Sequence, residues 1–282
     1  MLDVYKSCYN LTGQPFRLSP DYRFSFNHRT YDEAKAYLKY AAFAGEGFVA
    51  ITGAPGTGKT TLIGDLLAEL DRDRVKVANL DNDQLDPRDL VDRVNDAFEL
   101  PIDHSVAPLP RLKRFLNQNC LSGGRAILIV DEAQTLSREA LEQLRLLSNI
   151  QNYDGLLLQL FLLGQDSLMD MIRQPGMEQL QQRLIAASHL EPLNQNEALA
   201  YVEHRLRLVG WQNNPSFSEE AMSLIHRFSC GIPRRINLIC HRLFLRAGLE
   251  QKHHLLGEDA LHVIVELHKE GLLNPANSSV FD

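Results

Sequence analysis

Phe48 to Thr61 reads F-V-A-I-T-G-A-P-G-T-G-K-T-T. The first five residues are apolar or β-branched, the composition of a buried strand. The run breaks at Gly53, and Gly53 to Thr60 fits G-x-x-x-x-G-K-S/T at every fixed position. A helical pattern then starts, with Leu62, Ile63, Leu66, Leu67 and Leu70 on one side. Strand, glycine loop and helix in that order make a phosphate cradle. Gly53, Gly56 and Gly58 let successive backbone N–H groups turn into one concavity, around Ala54, Pro55 and Thr57. The unpaired N–H groups of the helix start, at Thr60 and Thr61, favour an anion. Lys59 reaches the β- and γ-phosphates, and the Thr60 hydroxyl suits Mg²⁺.

A second apolar run, Ala126 to Val130, ends in Asp131-Glu132-Ala133-Gln134. Two acids directly after a buried strand are costly without a partner. A Mg²⁺-nucleotide is such a partner: Asp131 would hold the metal through water, and Glu132 would act as general base on the attacking water. The alternative is a strand that ends in solvated acids, but the phosphate loop upstream favours the catalytic reading.

Length and composition set the frame. The chain has 282 residues, a net charge of −7 and a charged fraction of 23%. Those values describe one large or two moderate globular domains, with no global attraction to nucleic acid or anionic lipid. Cys8, Cys120, Cys230 and Cys240 are scattered without a C-x-x-C pair, which suits a reducing compartment; Cys230 and Cys240 are expected to pack as small apolar groups. The histidines hold no H-E-x-x-H or comparable ligand set. No signal peptide is expected, and no run approaches the apolar length of a membrane-spanning helix.

Taken in order, residues 1–29 read as irregular and aromatic, punctuated by Pro15 and Pro20: a strap over the core, or a wall of an adenine pocket. Thr30 and Glu33 have capping-box spacing ahead of a helix. Val75 to Leu80 is a strand ending in Asp81-Asn82-Asp83. Asp86-Pro87 reads as a helix start, and a further helix is expected over residues 109–119. Ser137 opens another. Leu156 to Leu163 is a fourth buried strand, ending in Gly164-Gln165-Asp166, and Ala186 to Leu190 a fifth. Gln165 either touches the γ-phosphate or the lytic water or is a plain loop residue. Strands alternating with helices imply a parallel sheet with ligand at the strands' carboxyl ends.

From Asn194, which has capping spacing with Glu197, helical periods run on and no strand is expected. The organisation read here is a strap (1–29), a nucleotide-binding α/β core (30–192), a helical domain (193–270) and a disordered polar tail (271–282). Within the helical domain, Gly231-Ile232-Pro233-Arg234-Arg235-Ile236-Asn237 places two arginines at a helix start, unfavourable to its dipole. Arg234 therefore either faces an anionic partner or lies on a solvated basic surface.

These pieces together resemble the AAA+ ATPases. The resemblance implies an ASCE-type P-loop NTPase core, a parallel sheet flanked by helices, followed by an all-α lid, with ATP bound between core and lid. It makes Arg234 a second sensor near the γ-phosphate and Gln165 a first sensor. It also sets Asn79 where many members keep a polar residue that restrains the catalytic glutamate. P-F-R-L-S-P-D at 15–21, G-E-G-F-V-A-I-T-G ahead of the loop, D-E-A-Q-T-L at 131–136, L-R-L-L-S-N-I-Q at 144–151, Q-Q-R-L-I-A-A-S-H-L at 181–190 and E-H-R-L-R-L-V-G-W at 203–211 resemble the ExeA/GspA group of secretion ATPases. The pattern over about residues 5–270 is most similar to the subfamily encoded with exosortase, PEP-CTERM and exopolysaccharide loci. ExeA itself continues into a transmembrane helix and a periplasmic peptidoglycan-binding part; this sequence ends after the lid, which bears on any direct action at the cell wall.

The implied function is Mg²⁺-dependent ATP hydrolysis that drives assembly or remodelling of an envelope-export complex, by a cytoplasmic chain peripheral at the inner membrane. The implied assembly is a ring in which a neighbour's arginine completes the site, Arg183 being the first candidate and Arg173 the second; the alternative is that both are ordinary surface arginines. Two rivals stand beside it: a DNA-associated AAA+ regulator resembling those of transposition, and a slow ATP-gated scaffold.

Overall fold

The computed structural model describes residues 4–19, 21–44, 47–71, 74–80, 86–103, 105–153 and 155–273. Pro20, Gly45, Glu46, the Asp81-Asn82-Asp83 strand end and tail residues 274–282 lie outside them. In chain order the elements begin with α1 (Val4–Tyr9), α2 (Arg29–Ala44), β1 (Phe48–Gly53), α3 (Lys59–Glu69) and β2 (Val75–Leu80). Next come α4 (Leu90–Ala97), α5 (Pro108–Leu121), β3 (Arg125–Val130), α6 (Arg138–Leu147), β4 (Gln151–Asn152), β5 (Gly155–Leu156) and β6 (Gln159–Gly164). Then follow α7 (Asp166–Ile172), α8 (Glu178–Gln181), β7 (Leu184–Leu190), α9 (Gln195–Arg207), β8 (Ser216–Phe217), α10 (Glu219–Ser229), α11 (Pro233–Leu249), β9 (His254–Leu255) and α12 (Gly257–Lys269).

The chain divides into two compact units. One comprises Arg29–Pro55 and Leu62–Leu190; the other comprises Met1–His28, Gly56–Thr61 and Glu191–Asp282.

The first unit is built on a parallel five-stranded sheet in the order β2-β3-β6-β1-β7. Every residue of β1 and β6 is buried, as expected of strands covered on both faces. The period of two divides them between two cores. Leu128, Val130, Leu160 and Leu162 point to a core shared with α4, α5 and α6 (Leu90, Leu112, Leu116, Leu141, Leu144). Ile127, Ile129, Phe161 and Leu163 point to the opposite core, shared with α2 and α3 (Leu38, Ala41, Leu62, Leu66). A glutamine opens β6 inside this apolar setting. Gln159 is 2% exposed, and its Nε2 donates to Ala41 O at 2.8 Å. One guanidinium nitrogen of Arg125 donates to Ala42 O and Phe43 O, each at 2.7 Å. Together the two side chains donate to carbonyls in the last turn of α2, where a helix runs out of its own donors.

The second unit is mostly helical, and its core is formed by α9 to α12 together with Tyr9, Leu11 and Phe16. Arg205 is 6% exposed in this core. Its Nε donates to Pro15 O at 2.5 Å, and a terminal nitrogen donates to the Tyr201 hydroxyl at 2.9 Å.

Several local expectations need correction. Residues 4–9 form a helix rather than irregular chain, because Tyr9 and the following Leu11 are buried. Asp86 does not cap a helix: it pairs with Arg88 at 2.7 Å, and α4 starts only at Leu90. The run 156–163 is not one strand. β5 pairs antiparallel with β4, and β6 starts at Gln159. The C-terminal region does contain strands, since β8 and β9 make a short parallel pair. Cys240 is buried, which pushes its thiol up. Cys230 is instead the half-buried left-handed C-cap of α10, with φ 54°.

Candidate functional site

β1 ends at Gly53 and α3 begins at Lys59, so Ala54 to Gly58 form the connecting loop. Gly56 (φ 87°) and Gly58 (φ 108°) occupy backbone conformations that side chains resist. Thr57 and Lys59 are 3% and 6% exposed, whereas Thr60 faces solvent. The first turn of α3 carries no acidic residue, so nothing on the helix itself neutralises its N-terminal dipole. Such a start suits a phosphate.

Asp131 follows β3, and its Oδ1 accepts the Glu132 N–H at 2.8 Å. Glu132 is itself in the left-handed region, φ 48° and ψ 38°, a conformation that costs a non-glycine residue roughly 1–2 kcal/mol. A one-turn 3-10 helix, Ala133–Thr135, holds it there. The Thr135 N–H and hydroxyl each donate to Glu132 O at 2.9 Å.

The Glu132 carboxylate meets two side-chain amides. Gln134 Nε2 donates to Glu132 Oε2 at 2.6 Å, and Gln165 Nε2 approaches the same oxygen at 3.5 Å. Gln134 Oε1 in turn accepts the Gln165 backbone N–H at 3.0 Å. Because β3 and β6 are hydrogen-bonded neighbours, their carboxyl ends deliver Asp131, Glu132 and Gln165 side by side. Asn79 is exposed on β2 beside Ile129; the amides holding Glu132 belong to Gln134 and Gln165.

The helical unit contains Arg234, exposed in the first turn of α11 just after Pro233. Its backbone N–H donates to Gly56 O at 3.2 Å, so the helix start carrying this arginine is bonded directly to the phosphate loop. Arg183 does not join the Glu132 group. It precedes β7, at the amino end of the sheet, where its carbonyl accepts the Phe48 N–H at 2.8 Å and its guanidinium approaches Ser148 O at 3.5 Å. Arg173 is exposed at the C-cap of α7.

Sequence reading gave no role to Gln134, or to a polar chain across three strand ends. Thr52 Oγ1 lies 3.1 Å from His189 Nδ1, and that nitrogen lies 3.2 Å from Asp166 Oδ1. Parallel register places Thr52 beside both Gly164 and His189, a relation no local pattern displays.

Thr60 carries a hydroxyl and Asp131 a carboxylate, hard oxygen donors of the kind Mg²⁺ takes, which usually has few protein ligands and completes its shell with water and phosphate. Among the described residues no cluster of three or more His, Cys, Asp or Glu suggests a different metal centre.

Sheet order, loop geometry and strand-end acids define a P-loop NTPase fold. Residues 43–172 match the AAA domain family model. It is similar to general secretion pathway protein A of Aeromonas hydrophila, with 39% identity over 259 residues, 91% of this chain and 47% of that protein. The chain thus spans about half the length of that relative.

Solved structures agree on the fold. Cdc6p of Pyrobaculum aerophilum matches with TM-score 0.70 at 16% identity, over 96% of this chain and 74% of that one. The ORC2 protein of Aeropyrum pernix gives 0.64 at 18% identity, over 86% and 70%. RuvB of Thermotoga maritima gives 0.58 at 17%, over 84% and 68%.

Proposed function

We propose that this chain binds Mg²⁺-ATP at the phosphate loop and hydrolyses it, with Glu132 as general base. The observation that carries the reading is the placement of Glu132: a left-handed turn at a strand end, with its carboxylate held by amide donors from Gln134 and Gln165. Strain of this kind concentrates at functional positions. Lys59 would bind the β- and γ-phosphates, and Gln165 and Arg234 would act on the γ-phosphate. Thr60 and Asp131 would hold the Mg²⁺, which when bound neutralises phosphate charge. Glu132 would take a proton from the attacking water. Among the described residues no helix is long and apolar enough to cross a membrane. The identity with general secretion pathway protein A supports a role in envelope export. In that reading turnover remodels a partner complex, here one of the exosortase and exopolysaccharide type, at the inner face of the membrane.

Self-association belongs to the same reading. Arg183 lies at the opposite end of the sheet from Glu132, so it would serve a neighbour's site rather than its own, with Arg173 as second candidate. An arginine supplied in this way can raise the rate roughly 10³–10⁵-fold.

The test is ATP turnover and ATP binding by wild type and Glu132→Gln. Loss of turnover with binding retained is expected; a Glu132→Gln protein that hydrolyses at the wild-type rate removes the base assignment. Light scattering with and without Mg²⁺-ATP tests assembly, and a turnover rate that climbs with protein concentration separates a cooperating motor from a slow scaffold.

A further inference from the structure

We infer that Gln134 is the positioning residue for Glu132: its side-chain amide sets the carboxylate's direction and ties it to the end of β6. The inference rests on the reading of Glu132 as base.

Gln134 is bonded at both ends of its amide. The Gln165 backbone N–H can only donate, and it donates to Gln134 Oε1 at 3.0 Å. That contact fixes which end of the amide is oxygen. The NH₂ end must then face Glu132, and Nε2 lies 2.6 Å from Oε2. The carboxylate is therefore met by a donor whose orientation is set by main chain one residue past the end of β6. Gln165 Nε2 lies 3.5 Å from the same oxygen, too long for a strong bond, so Gln134 makes the firmer contact.

Backbone and packing serve the same end. Glu132 is held at φ 48°, and Gln134 lies two residues on, in the 3-10 turn that this conformation starts. Gly164 leaves the room that the Gln134 amide occupies. A Cβ there would lie 2.9 Å from Gln134 Oε1 and 2.8 Å from Leu168 Cδ2. The last residue of β6 and the amide are thus fitted to each other. A change at residue 164 or 165 reaches Glu132 through Gln134, and a base turned by about an ångström loses roughly 10²-fold in rate.

The experiment uses the full chain. Gln134→Glu keeps the shape and still accepts the Gln165 N–H, but turns an acceptor toward Glu132. Gln134→Ala removes the amide, and Gly164→Ala displaces it without altering its chemistry. Steady-state kcat and KM for Mg²⁺-ATP are measured beside equilibrium binding of a fluorescent ATP analogue and thermal melting. The expected result is a kcat lower by about 10²-fold in Gln134→Glu and by about tenfold or more in the other two, with binding within about twofold of wild type. In a Glu132→Gln background, Gln134→Ala is expected to leave binding of the ATP analogue within about twofold, because a residue acting through Glu132 has nothing left to position.

Wild-type kcat in both Gln134 variants, alongside an inactive Glu132→Gln, overturns the inference and leaves the base in place. A more than roughly tenfold loss of nucleotide binding on adding Gln134→Ala to Glu132→Gln also overturns it, since Gln134 would then act on the nucleotide independently of Glu132. A fully active Glu132→Gln removes the base reading itself, and this inference with it.

Discussion

The carbonyl of Gly56 accepts the backbone N–H of Arg234 at 3.2 Å, bonding the phosphate loop to the first turn of α11. The approach is close enough to require glycine. Residue 56 has φ 87°, and a Cβ there would fall 2.6 Å from Arg234 Cβ. Gly56→Ala is expected to destabilise the protein by about 1–2 kcal/mol from backbone strain alone, and to weaken ATP binding as the loop and helix start separate. Thermal unfolding and nucleotide titration check both; an alanine variant unchanged in both would show that this contact does not constrain the loop.

Lys59 is 6% exposed at the start of α3, where a buried ammonium is well placed for phosphate. Charge-assisted hydrogen bonds contribute about 1.5–3 kcal/mol each. Lys59→Met retains most of the stem and removes the charge. It is expected to weaken ATP binding by about 10–100-fold and abolish turnover while the protein stays folded. Isothermal titration with ATP in Mg²⁺ buffer gives the number, and an affinity equal to wild type would contradict it.

Arg125 and Gln159 serve stability rather than chemistry. They satisfy the carbonyls of Ala41, Ala42 and Phe43, and Gln159 does so from a site 2% exposed to solvent. Gln159→Leu fits the apolar surroundings but leaves a buried carbonyl unpaired, a cost of about 1–3 kcal/mol. Chemical denaturation is expected to show a lower midpoint at unchanged slope. A more stable leucine variant would mean that the carbonyl finds water.

The helical unit contains a pH-dependent pair. Burial by itself pushes the Asp259 carboxyl up, but the Lys252 ammonium and the Leu256 N–H favour the carboxylate and hold it below the usual aspartate value. A depressed folded value stabilises above the unfolded one, about 4, and that stabilisation is lost as the pH falls through the folded value. Asp259→Asn is therefore expected to be less stable than wild type at pH 7, with the gap closing below about pH 4. Melting curves from pH 7 to 3 check the sign. A gap that widens in acid would contradict it.

Local chemistry accounts for the parts of the fold and site that are legible in sequence. Ser137 caps α6 by accepting the Ala140 N–H at 3.1 Å, and Asn194 and Glu197 exchange bonds at 3.0 and 2.9 Å as a capping box. Strands β2, β3 and β7 lie where apolar runs placed them. Other features carry no local signal. The six-residue helix α1 is too short to form on propensity, so its presence reflects burial of Tyr9 and Leu11 in a core supplied from beyond residue 191. β8 and β9 pair residues 38 apart in sequence, with Ser216 bonded to His254.

The sequence alone determined the phosphate loop, because glycine conformations, a lysine and a helix start act over a dozen consecutive residues. It also determined the strand-end acids and a parallel sheet, because burial on both faces requires continuous apolar runs. Tertiary structure decided which strands are neighbours, and hence which side chains meet. Only the adjacency of β3 and β6 brings Gln165 to Glu132 through Gln134, and only the docking of the α11 start on the loop brings Gly56 to Arg234. Hydrogen bonds between residues far apart in the chain depend on register and packing, and the spacing of residues along the sequence carries neither.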